Sequence, residues 1–184
     1  MSITLRQLTI PEFYLLVPEL VDIYISAMGY SESLRSTRIT AWRNDCRLPG
    51  FTSIIATEAH PNAHYVIGTA YGFAGSGRTW WHRQVAGGLR PRGQLDLLRD
   101  YFELAEIHVD PRRQARGVGR GLLTELLRNQ PYARALLSTP EIPHEDNAAF
   151  RLYRSCGFTD VLRDFRFTGD ARPFAILGAK LPLT

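Results

Sequence analysis

The stretch Ile107-His108-Val109-Asp110-Pro111-Arg112-Arg113-Gln114-Ala115-Arg116-Gly117-Val118-Gly119-Arg120-Gly121 has the residue types of an anion site. An apolar segment runs into glycines, and the glycines open a helix whose Leu122, Leu123, Leu126 and Leu127 share one face. A helix start leaves backbone N–H groups without carbonyl partners and carries the positive end of the helix dipole. Glycine lets a phosphate approach those amides closely. Arg113, Arg116 and Arg120 add forked donors that match phosphate oxygens. Two familiar phosphate motifs do not fit. The Walker form needs a lysine after its second glycine, and the chain's one lysine is Lys180. The dinucleotide form needs a glycine three residues after Gly119, where Leu122 stands.

A second segment carries the other informative pattern, Asn147-Ala148-Ala149-Phe150-Arg151-Leu152-Tyr153-Arg154-Ser155-Cys156-Gly157-Phe158. Gln114-x-x-Gly117-x-Gly119 resembles the Q/R-x-x-G-x-G/A turn of the GCN5-related N-acetyltransferases. The second segment resembles that family's N-x-x-A-x-x-L-Y-x-x-x-G-F through Ala149, Leu152, Tyr153, Gly157 and Phe158. The family's asparagine falls at Asp146 here, and Asn147 comes one residue late. Either residue can cap the helix. The resemblance is strong from Tyr101 to Phe158, and before that it rests on element order alone.

The resemblance implies acetyl-coenzyme A as co-substrate, with its pyrophosphate on Gln114, Ala115, Arg116, Gly117, Val118, Gly119, Arg120 and Gly121. Ile107, His108 and Val109 of the preceding strand, with Asn147 and Tyr153, complete the implied cofactor contacts. Acetyl transfer to an amine needs a neutral amine, donors for the carbonyl oxygen and a proton for the leaving thiolate. The resemblance implies Tyr153 as the acid, and Glu106 or Glu103 as base candidates beside His108. In a flat strand Glu106 and His108 share one face and Glu103 takes the other. The choice between them stays open, with a lean to Glu106. The base reading competes with that of a paired strand residue, and Tyr153 with a core tyrosine.

The elements that must position these residues follow from local pattern. The sequence predicts a strand at Ile3–Leu8, then a capping box of Thr9 and Glu12 opening a helix to Met28 that Pro18 breaks or kinks. A second helix is predicted over Ser31–Cys46, and strands over Phe51–Glu58 and His64–Phe73 with a hairpin turn at His60-Pro61-Asn62. Gly75–Gly93 is expected as an excursion off the core, with Trp80, Trp81 and His82 lining a pocket or covering the core. Tyr101–Val109 and Ala133–Thr139 are predicted strands, Gly119–Gln130 and Asn147–Cys156 helices, and Phe165–Phe167 and Phe174–Lys180 the last strands. The order predicts a single α/β domain over 1–184, a mixed and mostly antiparallel sheet of six to seven strands with about four helices.

Composition narrows the class. With 184 residues and 45% apolar content the chain can bury a full core. No run approaches the roughly 20 apolar residues of a membrane span, and Met1–Ile10 lacks the apolar run of a signal peptide. Two cysteines, of which Cys156 reads as a small buried apolar residue, make no disulfide framework. The five histidines lack zinc spacing. A cytoplasmic enzyme acting on a small-molecule or peptide amine is the expectation, with no membrane or nucleic-acid partner and with a homodimer allowed. A non-catalytic acyl-coenzyme A sensor is the rival reading, and an arginine-rich nucleic-acid binder a weaker one. The net charge of +4 does not separate them, but the arginines gather around one turn rather than in a basic run. Asp45 and Asp96 are carboxylates that can neutralise a cationic acceptor, with no spacing that compels it.

Overall fold

The structure, a computed structural model, describes residues 2–61 and 63–183. Among the described residues, seven strands form a mixed sheet in the order β1-β2-β3-β4-β5-β7-β6. The chain clusters into two compact units, and β4 (Tyr101–Val109) contributes its second half to the first unit and its first half to the other.

The first unit takes the described residues up to Phe73 together with Ala105–Leu126. In it β1 (Ile3–Gln7) pairs antiparallel with β2 (Thr52–His60), which pairs antiparallel with β3 (Ala63–Ala74). The hairpin joining β2 to β3 agrees with expectation, although Asn62 of the predicted turn lies outside the described residues. Thr9 and Glu12 form the predicted capping box of α1 (Ile10–Met28): the Glu12 carboxylate accepts from the Thr9 N–H at 2.8 Å. Pro18 lies inside this helix, which runs to Met28 as expected. Proline has no N–H for the carbonyl four residues back, and here the Arg43 guanidinium supplies that carbonyl, Tyr14 O, with a donor at 3.3 Å. Arg43 belongs to α2 (Arg35–Asp45), which follows a turn of 3₁₀ helix at Glu32–Leu34. Phe13, Val17, Leu20, Val21 and Tyr24 of α1 bury against Trp42, Ile55 and Tyr71. Each such side chain contributes roughly 1.5–3 kcal/mol by leaving water. The predicted leucine face of α4 (Val118–Leu127) is buried, with Leu122 and Leu123 at 0% exposure.

The second unit is Ala74–Leu104 with Leu127 and the described residues after it. β4 runs parallel to β5 (Arg134–Pro140), and β7 (Phe174–Lys180) lies antiparallel between β5 and β6 (Thr159–Phe165). Two expectations change here. The Gly75–Gly93 segment is not an excursion, because Trp80–Leu89 forms a helix, α3, capped by the Thr79 side chain. Its Val85 and Leu89 are fully buried in a cluster with Leu98, Leu136, Leu162 and Ile176. Gly88 allows the approach: a Cβ there would stand 2.8 Å from Leu162 and 2.9 Å from Phe165. The strand predicted at Phe165–Phe167 lies earlier, at Thr159–Phe165. Asp160 and Arg163 disguise its pattern, as charge often does on an edge strand, while Phe167 turns inward onto Phe165 and Phe174. The fifth helix, α5 (Ala148–Ser155), is capped by Asn147, whose side-chain oxygen accepts from Phe150 N–H at 2.8 Å. Gly157, at φ +82°, closes it.

Candidate active site

The glycine turn sits between β4 and α4, wholly in the first unit. Asp110 ends the strand: its N–H reaches Ile67 O at 2.8 Å and its carboxylate accepts from Arg112 N–H at 2.9 Å. The Gln114 side chain folds back to donate to Val109 O at 3.3 Å. Ala115 then takes φ +62° and Gly117 φ +76°, both in the left-handed region. The glycine meets no steric objection there, whereas Ala115 carries a Cβ penalty that surrounding contacts must offset. Gly121 N–H bonds to Gly117 O at 2.9 Å and closes the first helical bond of the turn. The amides of Val118, Gly119 and Arg120 therefore precede any helical acceptor. Arg113 and Arg116 both reach Glu58 of β2, at 2.6 and 3.1 Å. Arg120 is exposed on the first turn of α4.

A second group in the same unit combines acid and aromatic residues. His108 Nε2 and Glu106 Oε2 lie 2.6 Å apart, so the two residues share a face as a flat strand requires. The His108 ring meets the edge of Tyr24 at 4.9 Å and stacks beside Trp42 at 6.3 Å. Trp42 packs on Tyr71 at 5.1 Å, and the Tyr71 hydroxyl donates to Asp45 Oδ2 at 2.9 Å. Burial, reinforced by the charge of Glu106, pushes the Asp45 carboxyl up to about 6, against the Tyr71 hydrogen bond and Arg38. Burial and the same two carboxylates hold the Tyr71 phenol well above its ordinary value. A carboxyl titrating near neutrality is suited to proton transfer.

In the second unit, Glu103 is 6% exposed on the first half of β4. Glu103 also helps burial raise the Tyr101 phenol. Tyr153 is 6% exposed on α5, its ring tilted against Phe158 at 5.8 Å. Trp81 donates to Ser138 Oγ at 3.2 Å, and His82 Nδ1 lies 3.1 Å from the Tyr101 hydroxyl, so these side chains cover that unit's core. Burial lowers the His82 pKa. Cys156 is buried. Among the described residues no histidine, cysteine and carboxylate group can hold a metal ion, and no helix is long and apolar enough to cross a membrane.

Residues 60–160 match the family model described as an acetyltransferase (GNAT) domain. A curated relative, the GCN5-like protein acetyltransferase Rv2170 of Mycobacterium tuberculosis, is 39% identical over 186 residues, spanning 89% of this chain and 90% of its own. The chain belongs to the GNAT acetyltransferase family. It is accordingly an enzyme and a transferase. Solved GNAT structures share its fold at low identity. One is yncA of Salmonella typhimurium, solved with its cofactor acetyl-CoA, at 20% identity and TM-score 0.63 over 98% of this chain and 95% of that one. Another is the ribosomal-protein-S18-alanine N-acetyltransferase of Escherichia coli, at 18% identity and TM-score 0.63 over 100% of this chain and 96% of that one.

One residue beside the turn, Glu58, went unmarked in the sequence. Glu58 was absorbed into a β-rich run, and Asp45, read as a carboxylate that can neutralise a cationic acceptor, had no local partner to single it out from Asp96. Both acquire meaning from contacts across the fold, Glu58 with the turn and Asp45 with Tyr71.

Proposed function

We propose that this enzyme transfers the acetyl group of acetyl-CoA to a primary amine on a protein. The acceptor reading is carried by the convergence of two carboxylates, Asp45 and Glu106, with the rings of Tyr24, Trp42 and Tyr71. Carboxylates and aromatic faces together favour a cation, and a lysine or α-amino group arrives protonated near pH 7. The name of the relative Rv2170, a protein acetyltransferase over nearly the whole chain, supports a protein acceptor.

The turn fits the donor. The amides of Val118, Gly119 and Arg120 at a helix start, with Arg113 and Arg116 beside them, suit a pyrophosphate. Glu106, in contact with His108, takes the proton of the incoming ammonium, and Asp45 holds the cation while it is charged. The nitrogen lone pair then forms the new N–C bond as the C–S bond breaks. Tyr153 gives its hydroxyl proton to the departing thiolate, and the proton left on the acylated nitrogen returns to the Tyr153 oxygen, so that a neutral amide and a free thiol result. Ile107 and Val109 supply backbone donors to the carbonyl oxygen, and Asn147 orients α5 through its cap. Glu103, in the second unit, is assigned no proton transfer.

A thiol-release assay with acetyl-CoA against lysine peptides, peptides with free α-amines, spermidine and an aminoglycoside tests this reading. Turnover on peptide amines is expected. Turnover confined to small amines would reject the protein acceptor, and none with any amine would favour the sensor reading.

A further inference from the structure

Glu58 lies in β2, far in sequence from the glycine turn, and its side chain is 1% exposed. Its two oxygens are divided between the two ends of that turn. Arg113 Nε donates to Oε2 at 2.6 Å, and Arg116 Nη1 donates to Oε1 at 3.1 Å. His60 Nε2 stands 3.4 Å from Oε2 as a third neighbour. Between the two arginines sit Gln114 and Ala115, and Ala115 is the turn's one non-glycine residue with positive φ, at +62°. An alanine left to itself would leave that region. Both arginines would also sample many rotamers without an anchor.

We propose that Glu58 is a positioning residue for cofactor binding. It staples Arg113 and Arg116 to one buried carboxylate, so that Ala115 stays left-handed and the amides entering α4 keep the geometry a pyrophosphate requires. This rests on the reading of the turn as the pyrophosphate site. The arginines are held with donors to spare, because each uses a single nitrogen on Glu58 and guanidinium carries five N–H groups. The staple thus fixes the clamp without consuming it. Burial works against the charge of Glu58, but the bonds from Arg113 and His60 and the nearby Arg116 outweigh it and keep the carboxyl below its ordinary value. The staple is therefore ionised throughout the neutral range.

The test is Glu58→Gln, which keeps shape and loses the charge. Calorimetry should show acetyl-CoA binding weakened by about tenfold to a hundredfold, the scale on which losing a residue that orients metal ligands weakens a metal site. Acetyl-pantetheine, which has no pyrophosphate, should lose less than twofold in KM, and kcat at saturating acetyl-CoA should stay within about threefold. Adding Ala115→Gly should restore part of the lost affinity, since glycine holds positive φ without a staple. Glu58→Asp serves if the glutamine variant fails to fold, and should show the same discrimination in smaller measure. Acetyl-CoA affinity within twofold of wild type, or equal losses for acetyl-CoA and acetyl-pantetheine, would overturn the proposal. If Gly119→Asp also left acetyl-CoA binding untouched, the reading of the turn itself would fail, and not the staple alone.

Discussion

Two carboxylates of the first unit, Glu58 and Asp45, are both withdrawn from water and behave in opposite ways. Glu58 faces Arg113, Arg116 and His60, and its pKa lies below the ordinary carboxylate value. Asp45 faces the Tyr71 hydroxyl and the charge of Glu106, with Arg38 only partly offsetting them, and its carboxyl rises to about 6. Burial opposes charge in both, so the partners decide the outcome. Glu58 is fixed as an ion and can build a site. Asp45 is poised between two protonation states and can join in chemistry.

That division orders the expected effects. The largest belong to residues assigned to move protons. Glu106→Gln should lower kcat by roughly 10²–10⁴-fold on a peptide amine, the usual worth of general acid–base catalysis. Tyr153→Phe should fall in the same range while its acetyl-CoA dissociation constant barely moves, because the hydroxyl acts mainly in the transition state. Turnover within about threefold of wild type would return either residue to a packing role. Next comes the turn. Gly119→Asp adds a like charge where the pyrophosphate binds and should weaken acetyl-CoA by at least about a hundredfold with the fold intact. An unchanged calorimetric constant would make the turn a connection only.

A smaller effect concerns stability. Because the folded pKa of Asp45 is raised above its unfolded value, the native state binds the proton more tightly. Stability therefore falls as pH rises from about 4 through about 6, and ionised Asp45 costs about 3 kcal/mol above that window. Asp45→Asn should raise the Tm at pH 8 by several degrees, and the gain should shrink toward pH 4. A gain equal at both pH values would mean that Asp45 is not strained by its neighbours. Glu58→Gln should show no such gain at pH 8, since Glu58 is already satisfied there.

Features made by neighbouring residues were legible in the sequence. The Thr9–Glu12 capping box, the glycine turn, the leucine face of α4 and the start of α5 are all written within a few residues of one another. What was hidden depends on distant contacts. The Tyr14 carbonyl, which Pro18 cannot serve, takes a hydrogen bond from Arg43 of another helix. The helix α3 was obscured by Gly87 and Gly88, which read as loop residues until Leu162 and Phe165 are seen against Gly88. In β6, Asp160 and Arg163 answer to the partners Arg154 and Glu141, and no strand alternation reveals that. For the site, Glu106 and His108 were legible through strand spacing. Glu58 was not, and Asp45 stood out no more than Asp96, because a carboxylate's role depends on whether arginines or another carboxylate face it.

The most direct test of the contrast is the pH dependence of kcat/KM for a peptide amine at saturating acetyl-CoA, measured from pH 5 to 9 in wild type and Asp45→Asn. Asp45 meets Tyr71, Glu106 and Arg38, and the wild-type profile should bend near pH 6 as its carboxyl gains a proton. Below the bend the logarithm of the rate should fall by one further unit per pH unit. That added fall should vanish in Asp45→Asn, and Tyr71→Phe, which removes a hydrogen bond favouring the charged form, should move the bend to higher pH. A bend that survives unchanged in Asp45→Asn would contradict the account and leave Asp45 outside the reaction.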